Sequence, residues 1–217
     1  MAEPFLLVVF KVIWQDLVES LIYDSTKQDW QALQIVIDEI KKNKQVNQDL
    51  AVAIEKCFYS SDKTIAEKCR DELIKNSTYT QYRGAKIYKP LENDTGIRKL
   101  ENKIAFSEKQ LKQFDKKLFA KKSFFNIDEL DEIMQQLSQS NYESSEQAKK
   151  YTEEQLFEIL EQDCNVNIYI TAIRDKKNGL RTKILNSFLR EIEPNQQLNR
   201  IFKARTHLIL SQVRNQS

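Results

Sequence analysis

Glycine and proline are scarce in this chain, three of each in 217 residues. Sandwiches, barrels and doubly wound sheets need a turn every ten residues or so, and turns draw on those two residue types, so the shortage excludes them and leaves an all-α chain. Gly84, Gly96 and Gly179 stand far apart, so neither a P-loop nor a dinucleotide fingerprint can be assembled. Histidine is rarer still: His207 alone cannot build the usual metal clusters and leaves little for acid–base chemistry near neutral pH. Cys57, Cys69 and Cys164 are odd in number and without C-x-x-C spacing, which predicts reduced core thiols in a cytoplasmic protein. A long apolar run is also missing. The stretch Phe5 to Phe10 is interrupted by Lys11, Gln15 and Asp16, too short for the about 20 residues of a membrane span. Phe5 to Trp14 is therefore expected as a buried helix, with an interfacial membrane helix as the alternative.

What is present is helical periodicity. Leu6, Val9, Phe10, Ile13, Trp14, Leu17, Val18 and Leu21 form one broad apolar face. Ser25-x-x-Gln28 reads as a capping box before a helix through Trp30, Leu33, Ile37 and Ile40 that ends at the basic Lys41 to Lys44. A longer pattern from Val46 to Lys75 carries Leu50, Ile54, Cys57, Phe58, Ser61, Ile65, Cys69 and Leu73 on one stripe, with Ser60-Ser61-Asp62 as a place for a break or bend. Asp94 is expected to cap a long charged helix in which Ile97, Ile104, Leu111 and Leu118 recur every seven residues, with Leu100, Ser107 and Phe114 completing the seam. Such a seam fits one arm of an antiparallel hairpin or bundle, or a short coiled coil. Asn126-x-x-Glu129 and Thr152-x-x-Gln155 read as further capping boxes, and Pro194-Asn195 as the start of a last helix. The expectation is a multi-helix bundle or array of about seven to nine helices. Residues 1–76 and 95–217 form its two subdomains, and the Tyr-rich 77–94 segment links them, with a short strand at Lys86 to Tyr88 left open.

Net charge is +2, but it is distributed in blocks: −3 over residues 1–60, +7 over 61–125, −9 over 126–164 and +7 over 165–217. Opposite blocks can neutralise one another within one fold or face separate partners. The second possibility defines an alternative function, a helical nucleic-acid-binding subunit, for example one that lines a strand in an RNA-guided complex. Its groove would use Arg98, Lys99, Lys103, Lys109, Lys112, Lys116, Lys117, Lys121 and Lys122, with Tyr82-Arg83 and Tyr88-Lys89 as aromatic–basic pairs. The acidic run Asp128 to Glu132 lacks the oxygen-ligand spacing of a calcium loop and reads as the first turns of a helix. No catalytic residue, cofactor or metal is expected.

Two stretches carry a family resemblance. NQDLAVAIEKCFYSSDKTIAEKCRDEL, from Asn47 to Leu73, and FLREIEPNQQLNRIF, from Phe188 to Phe202, resemble helices in the N-terminal helical regions of bacterial STAND-type NTPases, including NACHT proteins of antiviral conflict systems. The charged helix from Ile97 to Lys122 corresponds to a long charged helix between them in that family. The resemblance implies a non-enzymatic sensing, autoinhibitory or effector-coupling module whose partner is a larger NTPase or effector, with oligomerisation possible. The motor would lie elsewhere, the chain being either a separate fragment or a stand-alone partner. The implied contact residues are Arg190, Asn199, Arg200 and Lys203, to which the seam positions Ile104 and Leu111 are added as a packing face.

Overall fold

The computed structural model of the chain describes residues 8–13, 38–77, 80–82, 85–87, 91–115, 128, 131 and 142–202. They form an all-α array with eight helical stretches and one small β-hairpin. The helices are α1 (8–13), α2 (38–42), α3 (Lys44–Ser77), α4 (Leu91–Asp115), α5 (Tyr142–Asp163), α6 (Asn167–Ile173), α7 (Leu180–Ile192) and α8 (196–202). Strands β1 (Thr80–Tyr82) and β2 (Ala85–Ile87) pair antiparallel, Gln81 opposite Lys86. Within the 77–94 segment, the strand left open at Lys86 to Tyr88 is thus present and begins one residue earlier, at Ala85.

Helix α3 is the axis of the fold. Asn43 interrupts the helix before it and turns its Oδ1 to the backbone N–H groups of Gln45 and Val46, at 3.1 and 3.2 Å, satisfying two of the donors that a helix start leaves free. The expected stripe is buried from Leu50 to Cys69 and widened by Ala51, Ala53 and Ala66. Two faces are covered because α4 lies along one and α6 and α7 lie along another. The Ser60-Ser61-Asp62 step does not break the helix. The helix runs through it, because the Asp62 side chain is engaged by other helices and does not compete for the local backbone.

Contacts between α3 and α4 run in opposite directions along the two helices: Leu73 lies near Gly96, Asp62 near Lys103 and Ser107, and Tyr59 near Phe106. Of the readings open for the heptad pattern, the antiparallel hairpin is the one realised, with the β-hairpin at its turn. The seam faces α3: Leu100, Ile104, Ser107 and Phe114 are buried. The apolar core is one cluster that draws on α1, α3, α4 and the helices after residue 155. The 77–94 segment therefore turns the chain back without dividing the core, and the boundaries at 76 and 95 separate stretches of chain rather than separate cores.

Two local expectations are corrected, and a third agrees with the structure. Helix α4 starts at Leu91, so Asp94 and Gly96 lie inside its first turns. Helix α5 starts at Tyr142, so Thr152 is an interior residue and not a cap. Val8, Val9, Phe10, Val12 and Ile13 are all buried, so this stretch belongs to the core and not to a membrane interface. Among the described residues no helix is long and apolar enough to cross a membrane. Ser25, Asn126 and His207 lie outside the described residues.

Candidate functional site

The chemistry of the interior gathers around Asp62. Its side chain is 2% exposed and that of Lys103 5%, an arrangement that demands partners, since an unpaired buried charge costs several kcal/mol. Helix α4 supplies Ser107, whose Oγ donates to Asp62 Oδ2 at 3.3 Å, and Lys103, whose Nζ lies 3.4 Å from the same oxygen. Helix α6 supplies Tyr169, whose hydroxyl donates to Asp62 Oδ1. Lys103 also passes 5.3 Å from the centre of the Tyr169 ring and reaches Asp163 Oδ2 at 2.6 Å. Asp163, at the end of α5, is 62% exposed, so the cluster runs from the middle of the core to the surface and ties α3, α4, α5 and α6 together.

Burial pushes the Asp62 carboxyl above its ordinary value, against the pull of Lys103, Tyr169 and Ser107. Burial opposes the charge on Lys103 as well, but the two carboxylates beside it prevail and hold its ammonium above the ordinary lysine value. The cysteines around the same core are pushed up by desolvation, Cys57 to about 12 and Cys69 and Cys164 to about 11. All three are buried and free. They are thiols at neutral pH and poor nucleophiles. Among the described residues no group of three His, Cys, Asp or Glu side chains is placed to hold a metal ion.

Part of the acidic block is answered from within, as the described residues show. Arg174, at the end of α6, donates to Glu161 at 2.8 Å and Glu154 at 2.9 Å and lies 4.8 Å from the Phe157 ring centre. Arg181, in the first turn of α7, donates to Glu153, and Lys41 pairs with Asp131. Lys56 of α3 pairs with Glu191 of α7 at 2.8 Å, and Lys63 with Glu108 of α4 at 2.9 Å.

The expected site residues separate accordingly. Ile104 is buried and Leu111 half-buried, so the seam is consumed by packing within the chain and Ile104 is not free as a partner contact. Lys103, expected in a basic groove, is buried in the Asp62 cluster instead. Lys112, Arg190 and Arg200 are exposed and Asn199 is half-buried. Arg200 pairs with Glu39 at 2.5 Å, and the Asn199 side chain donates to the Glu193 carbonyl at 2.7 Å. Tyr82 is in β1, and Arg83, Lys116, Lys117 and Lys203 lie outside the described residues. Asp62 and Tyr169 escaped the sequence reading. The available signal was Asp62's place between Phe58 and Ile65 on the apolar stripe, one turn from each.

In comparisons with known proteins, no family model, no curated protein and no solved structure matches the chain.

Proposed function

We propose that this protein is a non-enzymatic helical interaction and regulatory module of a bacterial antiviral-defence system, coupling sensing to a larger NTPase or effector. The family resemblance of the Asn47–Leu73 and Phe188–Phe202 stretches motivates the biological setting. The observation that carries the mechanism is the Asp62 cluster. A buried polar cluster specifies one helix register at a cost in stability, and such clusters are best attested as registry or switch elements. Here the cluster also has an exposed end. A partner cation that takes Asp163 from Lys103 would leave the buried ammonium with Asp62 alone, and so favour a different packing of α4 on α3. Regulation then follows from the partner's preference for one packing over the other. The interior titratable groups are engaged with one another and the thiols are held protonated, which supports a structural rather than a chemical role for them.

The test is co-purification with an NTPase encoded beside this chain, together with that enzyme's rate of ATP hydrolysis with and without the chain. Association and an altered rate are expected, with the alteration lost in Asp163→Ala while association persists. A partner that neither associates nor changes its rate overturns the proposal.

A further inference from the structure

We infer that the outer face of α4 binds a single strand of nucleic acid, holding phosphates with Arg98, Lys109 and Lys112 and a base with Phe106. Positions 98, 102, 105, 109 and 112 lie on the side of the helix opposite Leu100, Ile104, Ser107 and Phe114, and all five are exposed. Among the described residues no carboxylate forms an ion pair with Arg98, Lys109 or Lys112. Glu108, beside Lys109 and one turn before Lys112, is held by Lys63 at 2.9 Å, and on α5 Asp163, Glu154, Glu161 and Glu153 are taken by Lys103, Arg174 and Arg181, while Glu101, one turn after Arg98, is exposed. Three cations against Glu101 and the already paired Glu108 leave this face basic among the described residues.

The chemistry of the face selects its occupant. From position 98 to 112 a helix rises about 21 Å, so the three cations form a line suited to an extended polyanion. Phe106 stands beside that line, 51% exposed. Its ring is held edge-on by Tyr59 at 6.0 Å and 69°, which fixes its position while leaving surface for stacking. An unpaired base stacks on such a ring, whereas a base inside a duplex has no free face to offer. An acidic protein helix would need a ridge of apolar anchors at i, i+3, i+4 and i+7, and this face has Ala105 and Phe106 only. The inference does not depend on the regulatory proposal, since neither an NTPase nor a second packing is involved.

The experiment is fluorescence anisotropy of labelled single-stranded oligothymidine with the full chain between about 50 and 200 mM NaCl, a range over which phosphate contacts weaken steeply. With three phosphates engaged, the slope of log affinity on log salt is expected near about −2. The triple variant Arg98→Ala, Lys109→Ala, Lys112→Ala should lose at least about tenfold in affinity and flatten the slope. Phe106→Leu keeps an apolar contact for Tyr59 and should lose about fivefold or more with the slope unchanged. Lys176→Ala with Lys177→Ala, two exposed lysines elsewhere, should change neither. Absence of binding at the lowest salt, equal loss in the Lys176 and Lys177 control, or duplex bound as tightly as single strand would overturn the inference. So would displacement by polyglutamate with Phe106→Leu indistinguishable from the parent, which would assign the face to an acidic protein.

Discussion

Lys103 and Lys109 are six residues apart on the same helix and have opposite fates. Lys103 is buried between Asp62 and Asp163, beneath the ring of Tyr169, while Lys109 stands in solvent without a carboxylate partner among the described residues. The same contrast separates the two basic blocks. In the C-terminal block Arg174 and Arg181 are spent on the acidic helix α5, but Arg98, Lys109 and Lys112 of the other are left outward. Charge that is paired within a fold contributes to its architecture, and charge that is left unpaired remains for a partner. Net charge alone, at +2, conceals the difference.

The strongest way to break the comparison is to remove the buried cation. Lys103→Met leaves Asp62 buried without its charge partner and should destabilise the chain by about 3–5 kcal/mol in urea unfolding. Replacing the cluster together, with Asp62→Leu, Lys103→Met, Ser107→Ala and Tyr169→Phe, should recover most of that loss, since no unpaired charge then remains. The pH dependence has a definite sign. A folded lysine held above its ordinary value contributes stability that is present below that value, 10.5, and lost as pH rises through the folded one. The stability difference between the parent and Lys103→Met should therefore shrink above about pH 10.5. If the difference stays constant to pH 12, Lys103 is not bound as an ammonium.

The next effect concerns the turn that places Arg174 and Arg181 on the same acidic helix. Asp175 Oδ1 accepts from the backbone N–H groups of Lys177 and Asn178, each at 2.8 Å, and a Cβ at Gly179 would lie 2.1 Å from the Asp175 carbonyl oxygen. No rotamer relieves a clash with backbone. Gly179→Ala should cost more than about 1 kcal/mol and loosen both arginine pairs, measurable as a lower midpoint in thermal unfolding.

Arg174→Gln is expected to cost less, about 1 kcal/mol or below, because its pairs with Glu154 and Glu161 are partly exposed and screened by salt. Its effect should diminish as salt is added. Smallest of all, Lys109→Ala and Lys112→Ala should each shift stability by no more than about 0.5 kcal/mol. A larger shift would mean that these lysines have partners within the chain, and the contrast with Lys103 would fail.

Much of the architecture is legible in the sequence because it is written at short range. The α3 stripe, the Asn178-Gly179 stop, the α7 face of Leu180, Ile184, Phe188 and Ile192, and the Asn195 side chain turned to the N–H groups of Gln197 and Leu198 at 3.1 Å all rest on neighbours within a turn or two. The same local pattern misleads where it is ambiguous. Thr152-x-x-Gln155 has capping-box residues, but α5 is already three turns old when it reaches them. Lys103 is harder still. A lysine between Leu100 and Ser107 reads as surface until a carboxylate from another helix is brought beneath it.

The sequence by itself determined an all-α chain, its principal helical stripes and the thiol character of its cysteines, because composition, a 3.6-residue period and capping chemistry act over a few residues. Tertiary structure alone decided that the heptad seam closes as an antiparallel hairpin, that Asp62, Lys103 and Tyr169 meet in the core, and which basic side chains are neutralised. The reason is physical: a charge acquires its meaning from what lies within a few ångströms of it, and for Asp62 those neighbours are 41 to 107 residues away along the chain.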